Sequence, residues 1–333
     1  MDRMDFTHAV ARLRVIETKL LDKVKIERMI ESPSLEDAIK VLSETQYNDS
    51  ISLLKRVEDY EAALSEELKK LYSLMYEVSP YKLIVDIMSL KYDYHNIKVL
   101  EKSKIINSDL SSLLIPLGTV DVDVLKTSIV TNDLRNLEPI MREAIKKTEI
   151  DFEETKDSQN IDIILDKYQY KDMLEKAKTC EVDFIEGYVR RVIDLTNIKT
   201  MLRVKSQDKD MKFLEKVIIE DGYISKAILL EGLSVSFETF IKKVSKYGYD
   251  KVLNSVLEDF NLSKKYTSIE VHSDNYLMDY IKNAKRVNFG PEPIIAYTMA
   301  RETELKIVRI ILAGKLNKVD SNIIRERLRD IYA

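Results

Sequence analysis

The stretch Ile185-Glu-Gly-Tyr-Val-Arg-Arg-Val-Ile-Asp194-Leu-Thr-Asn197-Ile198-Lys199-Thr-Met201-Leu-Arg-Val-Lys205 decides the fold, because its second half occurs twice more. One copy is Asp93-Tyr-His-Asn96-Ile97-Lys98, running on to Lys104; the other is Glu304-Leu-Lys-Ile307-Val308-Arg309, running on to Lys315. Aligned on Asn197, all three place an acid three residues earlier (Asp93, Asp194, Glu304) and an aliphatic residue one later (Ile97, Ile198, Val308). A base stands at plus two (Lys98, Lys199, Arg309), a large apolar residue at plus four (Leu100, Met201, Ile311) and a lysine at plus eight. Self-similarity at a near-constant period dictates architecture. Here it says that one helical unit of about a hundred residues is used three times.

The chain of 333 residues fits two or three domains. The repeat favours three, bounded as 1–128, 129–232 and 233–333. Only 7 Gly and 6 Pro interrupt a chain with 33% charged and 45% hydrophobic residues, which predicts an all-α protein with a real core. The net charge of −4 comes from well-mixed totals, so no basic stripe points to nucleic acid. The segment from Arg309 onward is a mild exception, with six bases (Arg309, Lys315, Lys318, Arg325, Arg327, Arg329) against three acids (Asp320, Glu326, Asp330). It reads as a solvated face, with a docking surface for an acidic partner as the alternative. Cys180 is the only cysteine, so no internal disulfide forms and a reducing compartment is expected. The polar N-terminus lacks a signal-peptide core, and no apolar run approaches the ~20 residues that span a bilayer. Membrane association, on this reading, goes through a partner.

Along the chain, helical spacing runs from Phe6 to Ile30 as far as Ser32-Pro33-Ser34, and Ser34 caps the next helix with Asp37 three residues on. Thr45–Ser50 reads as a turn, Ile51 to Glu77 as one long helix, and acid-rich Asp151 to Gln159 as an exposed loop. Helices are predicted over Ile161–Lys178, Thr239–Val244 and Lys251–Phe260, the last two separated by Tyr247-Gly248-Tyr249. The final repeat helix, Ile294 to Ala313, follows Gly290-Pro291-Glu-Pro293, and Gly314 suits a left-handed cap. After two of the repeat helices comes a matching loop, Leu113-Leu-Ile-Pro116-Leu-Gly118-Thr-Val and Val217-Ile-Ile-Glu-Asp-Gly222-Tyr-Ile; after the third, Asn317-Lys-Val-Asp320-Ser-Asn-Ile323-Ile324 matches in outline only, without a glycine. Gly118 and Gly222 lie 104 residues apart.

At ~100° per residue, with the Asn position at zero, the acid falls at about 60°, the plus-four apolar residue at about 40° and the plus-eight lysine at about 80°. The plus-one aliphatic lies at about 100° and the plus-two base on the far side. The acid and the amide therefore sit among apolar residues, where an unpaired carboxylate is costly. Candidate partners are backbone groups at neighbouring helix ends, or Arg190 and Arg191 one turn earlier. These polar pairs then fix how the helices of each unit cross. The alternative is a ring of converging acids that touches a partner. The 18 tyrosines, in a chain without tryptophan, read mainly as half-buried packing residues with hydroxyls at the surface, Tyr94 among them.

No catalytic constellation emerges. The one Gly-Lys pair, Gly314-Lys315, lacks the rest of a phosphate loop; there is no Gly-x-Ser-x-Gly elbow; His8, His95 and His272 are not at metal-ligand spacing. No catalytic residue, cofactor site or metal site is assigned.

The three repeat motifs, in their order and spacing, resemble the signature helices of the C subunit of archaeal and bacterial V-type (A/V-type) ATPases, a family related to the d subunit of eukaryotic vacuolar ATPases. Ala11-Arg-Leu-Arg-Val-Ile-Glu-Thr-Lys-Leu-Leu and Ser34-Leu-Glu-Asp-Ala-Ile-Lys-Val-Leu-Ser-Glu-Thr-Gln-Tyr47 are also similar to that family's opening, so the resemblance covers essentially the whole chain. The departure is Ile307, where the family pattern has Asn. The resemblance implies three similar helical domains around a pseudo-threefold axis, funnel-shaped, seated on the proteolipid rotor ring. Its mouth would receive the central shaft, made of the D and F subunits. It implies a non-enzymatic coupler, peripheral on the cytoplasmic face of the membrane, linking ATP hydrolysis or synthesis to proton or sodium transport. The surface at the mouth is expected to be polar and that toward the ring more apolar. An α-helical repeat scaffold that binds a helical protein partner is the alternative.

Overall fold

A computed structural model describes residues 1–263 and 266–333, and among them every regular element is a helix. In chain order these are α1 (Thr7–Glu17), α2 (Lys23–Glu31), α3 (Leu35–Ser43), α4 (Asn48–Ile51), α5 (Tyr60–Val78) and α6 (Lys82–Ile106). Then follow α7 (Val122–Thr131), α8 (Pro139–Thr155), α9 (Gln159–Thr179), α10 (Asp183–Ser206), α11 (Met211–Val217) and α12 (Lys226–Glu231). The remainder are α13 (Phe237–Val244), α14 (Asp250–Ser263), α15 (Ile269–Lys282), α16 (Glu292–Leu316) and α17 (Ser321–Glu326). The repeat motifs fall on α6, α10 and α16, the three longest helices among those described. The chain divides into two compact units, Met1–Val85 with Glu270–Ala333, and Asp86–Ile269.

In the first unit α16 packs on α1, α2, α3, α5 and α17. Its Leu305, Ile307, Val308, Ile311 and Leu312 join one cluster with Met29, Ile30, Ala38, Leu42 and Leu64. A helix buried on nearly all sides is a core helix, and each such side chain contributes roughly 1.5–3 kcal/mol of burial. Four local expectations need correcting here. The apolar stripe from Phe6 to Ile30 is two helices, not one. Asp22, in extended backbone, caps α2 by accepting the Lys25 N–H at 2.8 Å, which leaves buried Leu20 and Leu21 between the helices. The helix expected from Ile51 begins only at Tyr60, after a short α4 within the expected turn. Asp151–Thr155 continues α8 rather than forming a loop. Gly314 lies inside α16 and gives no left-handed cap. A Cβ there would come within 2.6 Å of Ile324 Cδ1, so the glycine is a close approach for α17, and the positive φ of 54° belongs to Lys318. The Ser34 cap forms as read, accepting the Asp37 N–H at 3.1 Å.

In the second unit α6 and α9 run antiparallel and are stitched by polar pairs. Tyr94 donates to Asp172 at 3.1 Å, Lys98 pairs with Asp166, and Lys102 meets Asp162 at 2.7 Å. α9 forms hairpins with α8 and with α10, turning through Lys156 and Glu181, both at positive φ. α10 then packs on α11 and α12, and α13 on α14 across Gly248 (φ 82°). No helix among the described residues is long and apolar enough to cross a membrane.

Candidate functional site

The three repeated acids are buried, Asp93 and Asp194 at 0% and Glu304 at 4% exposure. Their partners are mainly backbone N–H groups. Asp93 on α6 accepts the N–H of Thr119 (2.7 Å) and of Val120 (3.0 Å), and the Thr119 hydroxyl (2.9 Å). Asp194 on α10 accepts the N–H of Tyr223 and of Ile224, both at 3.0 Å, and the Tyr249 hydroxyl at 2.7 Å. The amides repeat the register. Asn96 donates to the Ile115 carbonyl (2.7 Å) and accepts its N–H (2.8 Å); Asn197 does the same with Ile219 (2.7 and 2.9 Å). Each Asp-x-x-Asn thus grips a loop of pattern Ile-x-x-Gly-x-x at its first and last two residues.

The glycine between them is a contact requirement. A Cβ on Gly118 would lie 2.1 Å from Asp93 Oδ1, and one on Gly222 would lie 2.2 Å from Asp194 Oδ1. Neither glycine has a positive φ, so closeness to the carboxylate, not backbone conformation, excludes a side chain.

The third clamp draws on the start of the chain, not on the stretch from Asn317 to Ile324 that follows its helix and matches the other loops in outline. Glu304 Oε2 accepts the Leu21 N–H at 2.5 Å, and Oε1 accepts the Tyr47 hydroxyl at 2.9 Å and the Arg301 guanidinium. Leu21 precedes the N-cap of α2 as Val120 precedes that of α7 and Ile224 that of α12. In this register Ile16 stands where Ile115 and Ile219 stand, yet Ile16 is inside α1, with its N–H committed to the helix. An amide at position 307 would find no free peptide group, and Ile307 instead packs in the core at 0% exposure. The third polar contact therefore forms at the acid and not at the amide position. A cation compensates: Arg301 also donates to Glu67 at 2.8 Å, and Glu67 takes the Ser50 hydroxyl at 2.6 Å and Lys70 at 3.0 Å.

The other repeat positions lie outside the clamps. Lys98 pairs with Asp166, Lys199 is half-buried on α10, and Arg309 is exposed and bonds Glu61 at 2.9 Å. Arg190 bonds Glu186 and the Asp221 carbonyl, and Arg191 reaches the Gly187 carbonyl. The charge of Arg191 favours the ionised form of Asp194, but less than the Ile224 and Tyr223 N–H groups and the Tyr249 hydroxyl do. Several bases of the C-terminal segment are engaged within the unit: Arg325 by Glu27 and Glu31, Arg329 by Asp274 at 2.9 Å. Tyr94 departs from the half-buried expectation, being fully buried with its hydroxyl on Asp172. Tyr47 and Tyr249 escape the sequence reading as clamp residues; their one signal is a shared position, 25 and 24 residues after the N-caps Asp22 and Ser225. Among the described residues no group of three or more His, Cys, Asp or Glu could hold a metal ion. Burial pushes the Cys180 thiol up to about 11, which disfavours the reactive thiolate.

Burial also raises a few buried acids of the second unit. Asp93 is pushed up to about 6 against the pull of its N–H donors, and Asp172 to about 6. Glu101, whose Oε1 has no hydrogen-bond partner, rises to about 7 through burial and then the nearby Glu149. Above pH ~7 these groups are ionised in folded and unfolded chain alike, and the fold bears the cost of burying them. As pH falls from ~7 toward ~4.5 the folded chain takes up protons that the unfolded chain does not, so stability from these groups rises. Glu101→Gln is expected to add about 1–3 kcal/mol at pH 8 and to flatten the increase between pH 8 and 5.5. Urea unfolding at the two pH values checks this, and an unchanged slope in the variant refutes it.

The sequence model of the family described as ATP synthase (C/AC39) subunit matches residues 9–327. The C subunit of the V-type sodium ATPase of Enterococcus hirae is 29% identical over 329 residues, covering 99% of each chain. The C subunit of the A-type ATP synthase of Methanocaldococcus jannaschii is 28% identical over 347 residues, 98% of this chain and 87% of that one. That of Methanosphaera stadtmanae is 25% identical over 350 residues, 98% and 89%. With a match that leaves out only the first eight and last six residues, and clamps built on the motifs that repeat through it, the chain belongs to the ATP synthase (C/AC39) subunit family.

Proposed function

We propose that this chain is a non-catalytic central-rotor subunit of a rotary V-type ATPase. It acts as a socket that holds the central shaft, made of the D and F subunits, and seats it on the membrane proteolipid ring at the cytoplasmic face. ATP hydrolysis or synthesis is thereby linked to proton or sodium transport. The three repeats, 1–128, 129–232 and 233–333, are the working parts of this socket, and the repeat positions Asp93, Asn96, Lys98, Asp194, Asn197, Lys199, Glu304 and Arg309 stiffen it.

The observation that carries the reading is the thrice-used acid clamp. A coupler must pass torque without yielding, and loops are the parts of a helical protein that yield first. Each clamp ties a loop backbone to the side of a long core helix through a buried carboxylate, where salt screens little. The names of the relatives, all C subunits of such complexes, support the same assignment.

The test is depletion and add-back. Membranes carrying the complex without this chain should retain ATP hydrolysis by the catalytic sector while ATP-driven ion uptake into vesicles falls to background, and purified chain should restore it. Undiminished transport without the chain would sink the coupler reading. Transport intact together with tight binding to a soluble helical protein would favour a scaffold instead.

A further inference from the structure

The second unit holds a cleft of about 600 Å³ between α8, α9 and the loop that Asn197 grips. That volume lies within the ~300–1,000 Å³ typical of small-molecule sites. Its apolar lining comes from Ile163, Ile164, Leu174 and Ile219, beside Tyr168. One wall is fixed, because both backbone groups of Ile219 are held by Asn197.

Charges of both signs line the cleft; some are bonded to neighbours, and Lys147, Glu175 and Lys178 are exposed. Glu143 accepts the Tyr168 hydroxyl at 2.8 Å and pairs with Lys171 at 3.4 Å. Asp151 accepts the Asn160 amide at 2.7 Å, and the oxygen of that amide takes Lys216. Lys226, near the cleft, pairs with Glu215 at 2.8 Å. Glu220 and Asp221 are exposed at the rim and solvated. Lys167 differs. It is half-buried, and no acceptor or carboxylate of the described residues is bonded to it. Burial holds its ammonium below the ordinary lysine range; the charge of Glu220 is the next influence and opposes this, and the weaker charges of Lys226 and Lys147 add to the lowering. A partly desolvated cation beside apolar surface is costly until an anion meets it.

We propose that this cleft binds a small amphipathic anion, its carboxylate, sulfonate or phosphate head on Lys167 and its apolar body along Ile163, Ile164 and Ile219. The site is independent of the coupling role and stands or falls apart from it. Lys167 is a ligand-binding residue here, with no structural duty to the fold.

The probe is 1-anilinonaphthalene-8-sulfonate, titrated by fluorescence into the full chain at low ionic strength. The expected result is one saturable site per chain. Decyl sulfate below its micellar concentration should displace the probe, decyltrimethylammonium should not, and added salt should weaken binding. Lys167→Met should weaken binding roughly tenfold with an unfolding midpoint no lower than that of the parent. Ile164→Glu, which puts a like charge beside the probe's apolar body, should weaken it as well, and Lys69→Met, on the other unit, should leave it unchanged. Absence of a saturable site, displacement by both detergents alike, or full affinity in Lys167→Met overturns the proposal.

Discussion

Arg301→Met is expected to destabilise the unit of Met1–Val85 and Glu270–Ala333 by about 3–5 kcal/mol at pH 7, the range for removing one member of a buried ionic group. Arg301 is 4% exposed, and its guanidinium serves Glu304, Glu67 and the Tyr47 hydroxyl while lying 4.9 Å from the Tyr47 ring centre. Methionine fills much of the volume but leaves two carboxylates in one apolar pocket. Glu67 keeps Ser50 and Lys70; Glu304 keeps only neutral donors, chiefly Leu21 N–H and Tyr47. Burial already raises the Glu304 carboxyl, and Arg301 is the main group opposing this, so the variant raises it further. A carboxyl raised in the folded state favours folding as pH falls, and the deficit should therefore shrink on going from pH 7 to pH 5. Adding Glu304→Gln to Arg301→Met should recover part of the loss, a non-additivity expected of groups in one network. Arg325→Met, which breaks a surface cluster with Glu27 and Glu31, should cost far less, since exposed ion pairs contribute little. Urea unfolding of the four chains decides it; similar losses in Arg301→Met and Arg325→Met would mean the buried charges do not act as described.

The acids and amides of the clamps are legible in the sequence, because a motif used three times separates its fixed positions from its variable ones. Their burial is legible too, since Asp93, Asn96, Ile97 and Leu100 fall on one side of a 3.6-residue helix. What they hold is half legible. Gly118 and Gly222 mark the first two loops through their own repetition. The third loop cannot be found this way, since Leu21 lies 283 residues before Glu304 and carries no glycine. The stripe from Phe6 to Ile30 hides it further. Leu20 and Leu21 continue a helical apolar pattern even though the chain leaves the helix there, and only Asp22 signals a cap. Arg301 stands one turn before Glu304, but periodicity alone does not say that a base is buried. Acid-rich Asp151–Thr155 misleads in the opposite direction: charges at helical spacing are as compatible with a solvated helix end as with a loop, and the chain leaves the helix only at Lys156, in left-handed backbone.

Gly222→Ala carries the second large expectation, a loss of about 2–4 kcal/mol in the unit Asp86–Ile269 from overpacking together with a weakened buried carboxylate. The new methyl carbon would sit 2.2 Å from Asp194 Oδ1, 3.1 Å from its Cγ and 3.2 Å from Ile193 Cγ2. An ordinary side-chain tip would swing aside. Asp194 cannot do so cheaply, because its two oxygens are pinned by the N–H groups of Tyr223 and Ile224, the residues directly after the glycine, and by Tyr249. The loop must therefore lift, leaving a buried carboxylate short of donors. Steric and polar causes separate in the double variant. Asp194→Ala alone loses the clamp and leaves two loop N–H groups unsatisfied, yet it also clears the space that Gly222→Ala needs. If the clash is the cause, the pair together costs little more than Asp194→Ala by itself. If the alanine harms the loop for any other reason, the two losses add. Hydrogen exchange at the Tyr223 and Ile224 amides gives the local reading, with protection lost in each single variant and no further loss in the double. Gly118→Ala against Asp93 should repeat the pattern, since its Cβ would approach the carboxylate equally closely at 2.1 Å. A coupling found at one glycine and absent at the other would show that the two clamps, alike in geometry, do not bear alike on stability.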